Sequence, residues 1–247
     1  NMASGDLACT YGSSSGGSTW SGVECDSYND PMKLELDATG LNLGVKVPGS
    51  AMEGLSSLSW LSHLKLKDIQ LTGTIPPQIS TLFRLTYFGL IGDSVTSGLM
   101  KLTGTIPPQL SKLTKAKVLS LTNWALTGTI PPQLSTLQWY LSELNLSSNA
   151  LTGTIPSQIS LLRSITYLWL RMNKLVGSIP SEFAYQILST GFVAGLNQLT
   201  TNNFNVDQNV NLCGTYTTPA PTSIAGTALG NACSSQLLQP VALMAFR

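Results

Sequence analysis

An eight-residue phrase written five times limits this chain more than any composition figure. Leu71-Thr-Gly-Thr-Ile-Pro-Pro-Gln78 recurs at Leu102–Gln109 and Leu126–Gln133. It returns as Leu151-Thr-Gly-Thr-Ile-Pro-Ser-Gln158 and then as Leu175-Val-Gly-Ser-Ile-Pro-Ser-Glu182. The starts lie 31, 24, 25 and 24 residues apart, so one unit carries an insertion. A period of this length marks an array: no single unit can bury its apolar face alone, and stacked neighbours make a continuous core. Between the phrases runs a second pattern. Leu61, Leu64, Leu66, Ile69 and Leu71 are matched by Leu141, Leu144, Leu146, Asn149 and Leu151, and by Ile165, Leu168, Leu170, Asn173 and Leu175. The Leu-x-Leu centre predicts a short strand with both leucines on one face, because strand side chains alternate. Parallel stacking then buries the leucines as a ladder.

These residues resemble the plant-type leucine-rich repeat over roughly Leu34 to Phe183. The resemblance implies an α/β, right-handed, horseshoe-shaped solenoid. Parallel strands line its concave face, short second strands its flank, and 3-10 or irregular segments the other sides. Cys9 with Trp20-Ser-Gly-Val-Glu-Cys25 resembles the family's amino-terminal cap, and Asn211-Leu-Cys-Gly214 with Cys233 its carboxy-terminal cap. The expected organisation is a cap over 1–33, about six repeats over 34–187 with an insertion near 92–101, and a cap and tail over 188–247. Caps answer a physical need, since an uncovered end would expose ladder leucines and strand edges. The family's ladder asparagine stands at Asn149 and Asn173, whereas Ile69 and Trp124 replace it elsewhere and Asp93 takes its place in the inserted unit. Those turns must satisfy their buried backbone groups by other means. Gly92 to Lys101 is expected to form a protruding loop.

Four cysteines, two near each end, and a single histidine, His63, argue for disulfides over a metal site. Three pairings are open, and pairing within each end, Cys9 with Cys25 and Cys213 with Cys233, suits a rod whose ends cannot meet. The oxidising compartment this requires is extracellular, either secreted or at the cell surface. No signal peptide precedes Asn1, so the chain reads as a processed or trimmed product. No apolar run has the roughly 18 residues of a membrane span. The tail Gln236–Arg247 is apolar but short, and it is expected to pack on the last repeat. A net charge of +1 provides no field for nucleic acid. Catalysis is not expected. One histidine supplies no triad or zinc site, the Gly12–Gly17 stretch lacks the lysine of a phosphate loop, and the carboxylates are scattered. No cofactor is implied.

The register assigns outward positions: Lys33, Glu35 and Asp37; His63, Lys65 and Lys67; Tyr87, Gly89 and Ile91; Val118, Ser120 and Thr122; Glu143, Asn145 and Ser147; Tyr167, Trp169 and Arg171. They vary from unit to unit while the framework does not. Tyr167, Trp169 and Arg171 share a face and belong to the residue types enriched at interface hot spots; with Tyr87 they form the expected ligand-binding set. Packing of the aromatic pair under the carboxy-terminal cap is the competing reading. His63 is given no role, and the charges around it suit a solvated rim. Asn145-Leu-Ser147 is a glycosylation sequon at an outward position. A glycan there would exclude a large partner from mid-arc and push partners toward the aromatic end or a flank.

The phrase also repeats eight threonines: Thr72 and Thr74, Thr103 and Thr105, Thr127 and Thr129, Thr152 and Thr154. On a flank strand both of each pair would face outward, giving a four-by-two grid of hydroxyl and methyl groups. Such grids resemble those of ice-binding proteins. The reading preferred is an extracellular recognition module for a protein, peptide or glycan, like the ectodomains of short receptors or the secreted inhibitors of this family. The alternatives are ice or crystal-surface binding through the threonines, and a structural matrix or filament component formed by self-association.

Overall fold

The structure is a computed structural model and describes residues 23–25, 31–38, 47–92, 102–180, 182, 204–206, 209, 211–214 and 228–229. The expected loop after Gly92, the tail, and Cys9 and Cys233 lie outside the described residues, as do the side chains of Cys25 and Cys213.

The strands, in chain order, are β1 (Val23–Cys25), β2 (Pro31–Asp37), β3 (Val47–Pro48), β4 (His63–Lys67), β5 (Leu71–Thr74), β6 (Tyr87–Ile91), β7 (Leu102–Thr103) and β8 (Val118–Thr122). Then follow β9 (Glu143–Asn145), β10 (Tyr167–Trp169), β11 (Val176–Gly177), β12 (Phe204–Asn205), β13 (Asn211–Gly214) and β14 (Ala228–Leu229). An eight-stranded sheet runs β1-β2-β4-β6-β8-β9-β10-β12. Within it β1 and β2 are antiparallel and every later pair is parallel. Single 3-10 turns, Pro77–Thr81, Pro108–Lys112, Pro132–Leu137 and Ser157–Leu161, close the far side. Three of them have proline at the first turn, where a missing N–H costs nothing. In the first unit a five-residue helix, Ala51–Leu55, takes this place.

Every framework leucine named above from Leu61 onward is buried, and one apolar cluster runs unbroken from Met52 to Val206. The turns after β9 and β10 are closed by a repeated bond. Asn149 Nδ2 donates to the Leu121 carbonyl (2.7 Å) and Asn173 Nδ2 to that of Leu146 (3.0 Å). Their Oδ1 atoms accept from the N–H groups of Leu126 and Leu151. Trp124 has no such amide, and its indole Nε1 donates to the Leu90 carbonyl at 2.9 Å instead. Asn209 repeats the whole pattern, donating to Leu170 and accepting from Leu175, so the lattice runs on through β12 and β13. The residues just before the ladder position, Asp68, Asn123, Ser148 and Met172, all have positive φ. That left-handed step turns the chain out of the strand.

Candidate ligand-binding face

The strand register lays the outward side chains in three rows. Lys33, His63, Tyr87, Val118, Glu143 and Tyr167 are successive partners in the first; Glu35, Lys65, Gly89, Ser120, Asn145 and Trp169 in the second. Asp37, Lys67, Ile91 and Thr122 make the third, with Ser147 and Arg171 following at the same positions of the sequence pattern. Neighbours along a row are about 4.8 Å apart.

The first two strands neutralise themselves. Lys65 is hydrogen-bonded to Glu35, Lys33 lies 3.6 Å from the same carboxylate, and Lys67 Nζ is 3.0 Å from Asp37. The Lys65 hydrogen bond, helped by the charges of Lys65, Lys33 and His63, holds the Glu35 carboxyl below its usual range. This patch therefore presents paired charge, as expected of a solvated rim. His63 is less idle than expected: its ring stacks on Tyr87, centroids 4.3 Å apart and planes 16° from parallel. Tyr87 is half-buried and its hydroxyl is pushed up by desolvation. Its ring lies across Gly89, where a Cβ would come within 2.7 Å of Tyr87 Cε1. Glycine is what lets the ring lie flat.

At the other end Tyr167 and Trp169 touch, centroids 5.3 Å apart and tilted by 53°. Tyr167 is 42% exposed, and Arg171 is exposed with no carboxylate partner among the described residues. The four expected ligand-binding residues thus form two groups. Tyr87 stands with His63, three strand steps or about 14 Å from Tyr167. Between them lies a trough floored by Val118, Ser120 and Thr122, the last two buried. Glu143 sits in this trough. Burial pushes its carboxyl above the ordinary value, and it makes no ion pair among the described residues. Sequence reasoning put Glu143 on the face but gave it no weight; the signal was an acidic side chain in an otherwise uncharged stretch.

Asn145 is half-buried, its Oδ1 accepting from the Ser147 N–H at 3.1 Å, and it is the direct strand partner of Trp169. A glycan on Asn145 would rise beside the indole. There it would crowd the aromatic end as well as the middle of the arc.

The flank threonines do not form a rectangular grid. Thr74 pairs with Thr103, and Thr105 with Thr127. The backbone bonds Thr152 N–H to Gly128 and Val176 N–H to Gly153 carry the same slip onward. Equivalent threonines are thus offset by one strand spacing and two residues, about 8 Å. Three of their eight hydroxyls and four of their eight methyls serve the stack. Thr103, Thr127 and Thr152 hydroxyls donate to the Gly73, Gly104 and Gly128 carbonyls. The Cγ2 methyls of Thr74, Thr105, Thr129 and Thr154 sit over Gly104, Gly128, Gly153 and Gly177, where a Cβ would lie 2.8–2.9 Å away.

Stacked parallel strands with an asparagine-closed turn define a repeat solenoid with one open strand face. The leucine-rich-repeat family model matches residues 140–162 and 164–185. The plant peptide hormone receptor RGFR1 in complex with RGF2 is similar at 32% identity and TM-score 0.55, over 69% of this chain and 23% of that one. The Arabidopsis receptor kinase HAESA, solved with the peptide hormone IDA and the co-receptor SERK1, matches at 25% identity and TM-score 0.62, over 83% and 31%. A pollen receptor kinase 3 shares the fold at 24% identity and TM-score 0.56, over 79% of this chain and 81% of its own. No curated protein sequence matches. The chain is a leucine-rich-repeat protein of the plant type, and it spans 23% and 31% of the two hormone receptors' lengths.

Proposed function

We propose that this chain is an extracellular recognition module that binds a peptide or protein segment on its concave strand face and performs no catalysis. The carrying observation is the trough between two aromatic groups. His63–Tyr87 walls one side, Tyr167–Trp169 with Arg171 walls the other, and small side chains floor it. A peptide lying across the strands would set side chains against both walls while its backbone spans Ser120 and Asn145. Glu143 would meet a basic or N–H group of the ligand, and Arg171 a carboxylate. Support from relatives is by likeness: RGFR1 and HAESA are peptide hormone receptors of the same fold. Secretion or display at the cell surface follows from the same likeness, and among the described residues no helix is long and apolar enough to cross a membrane.

The test is binding of a displayed peptide library and a surface-proteome pull-down to the wild-type chain, then to Trp169→Ala and Arg171→Ala. Affinity for the selected ligand is expected to fall by about 2 kcal/mol for a hot-spot truncation. The unfolding midpoint is expected to stay nearly constant. A large loss of thermal stability with binding intact would mean that the pair packs and does not recognise.

A further inference from the structure

We propose that the rim just ahead of the concave strands is a second binding surface, independent of the strand face, for an anionic glycan polymer. Four successive units each expose one residue immediately before a buried core position on this rim: Trp60 before Leu61, Arg84 before Leu85, Lys115 before Ala116 and Tyr140 before Leu141. Backbone bonds from Thr86 to Ser62, Lys117 to Thr86 and Ser142 to Lys117 hold these segments side by side, one strand step apart. The result is a line along the solenoid in which two basic side chains, Arg84 and Lys115, are flanked by the aromatic Trp60 and Tyr140.

The large rings are out in solvent, Trp60 at 45% and Trp139 at 61% exposure. Each carries a guanidinium: Arg84 Cζ is 3.9 Å from the Trp60 ring centroid, and Arg163 Cζ is 5.1 Å from that of Trp139. Lys112 and Lys117 extend the same side, both exposed. None of these cations is in an ion pair among the described residues. The described stretch between Asp68 and Glu182 holds a single acidic side chain, Glu143, and it lies on the strand face. A net charge of +1 conceals this segregation, because most of the carboxylates lie in the first 93 residues.

The pattern suits one chemistry. Guanidinium groups give paired N–H donors to carboxylate or sulfate, and lysines act as point charges. Exposed indole and phenol rings offer flat apolar surface to the C–H faces of sugars. Cations spaced by strand steps along a line match a ligand whose charge repeats along a chain. An anionic membrane fits less well, since inserting Trp60 or Trp139 would carry a guanidinium toward the acyl boundary. Single-stranded nucleic acid needs a denser positive groove that tracks its backbone, and the cations here lie along an open rim.

The full chain should be tested against immobilised polygalacturonate and dextran sulfate, with neutral dextran, phosphatidylserine vesicles and oligo-dT for comparison. The two anionic glycans separate carboxylate from sulfate recognition. Expected are salt-sensitive binding to at least one of them, none to neutral dextran, and weaker binding to vesicles and oligo-dT. The variant Lys112→Gln/Lys115→Gln/Lys117→Gln and the variant Arg84→Gln/Arg163→Gln should each weaken it about tenfold or more, with unchanged circular dichroism. Trp139→Ala alone should weaken it with no charge altered. No binding to either anionic glycan, undiminished binding by folded charge variants, or tighter binding to vesicles or oligo-dT would overturn the proposal.

Discussion

Trp124 does with one indole nitrogen what Asn149, Asn173 and Asn209 do with an amide, giving a donor to a carbonyl of the preceding unit that water cannot reach. Trp124→Phe keeps most of the apolar volume and removes the donor. It is expected to cost about 1–3 kcal/mol, the penalty for a buried group left unpaired, measured by urea denaturation; an unchanged midpoint would show that the bond is incidental. Asn209, beyond the last copy of the phrase, was missed, while Asn149 and Asn173 were legible through the family resemblance. The substitute was not, since nothing in a tryptophan's position says where its N–H points. Glu143 makes a pH-dependent case. Burial holds its carboxyl above the ordinary value of 4.5, so the native chain binds that proton more tightly than the unfolded chain does. Wherever the native state holds more protons, stability falls as pH rises. Glu143→Gln is therefore expected to be more stable than wild type near neutral pH, with the gap closing below about pH 4, where both states of the wild type are protonated. A gap independent of pH would mean that desolvation is not the cause.

At the scale of the element, the flank strand shows why the phrase is copied so faithfully. From Gly104 onward each glycine has positive φ, 75° at Gly104 and Gly128, and its missing side chain makes room for the methyl of a threonine in the unit before. The threonine and the glycine are two halves of one contact, so neither can drift alone. Gly128→Ala should cost about 1–2 kcal/mol from the left-handed backbone, plus the clash with the Thr105 methyl. Adding Thr105→Ser removes that methyl and should recover part of the loss; strictly additive effects in the double-mutant cycle would refute the coupling. The alternation of leucines was enough to set the concave rows, because a strand face is fixed by period two. The two-residue slip of the flank was not readable, since it depends on how each flank strand inclines to the solenoid axis. The rim of Trp60, Arg84, Lys115 and Tyr140 escaped for another reason. Its members lie 24 or more residues apart in sequence, and averaged charge hides them.

Across the whole molecule the rival functions make opposite demands on shape. Recognition of a peptide needs one concave face of varied side chains, and the rows from Lys33 to Tyr167 vary at every step. Binding a crystal surface needs an extended, flat set of free hydroxyls and methyls acting together. The threonines form a staircase instead, its equivalent members about 8 Å apart against about 4.8 Å for side chains across the concave sheet. That difference in spacing between two sides of one stack implies a bend, and three of the hydroxyls already donate to glycine carbonyls. The wild-type chain is accordingly expected to show neither thermal hysteresis nor inhibition of ice recrystallisation. A variant with Thr103, Thr105, Thr127 and Thr129 changed to lysine should lose stability, because its flank contacts are broken, while the peptide affinity of any chain that stays folded is unchanged. Clear hysteresis in the wild type, abolished in a variant with unaltered circular dichroism, would transfer the function from the concave face to the flank.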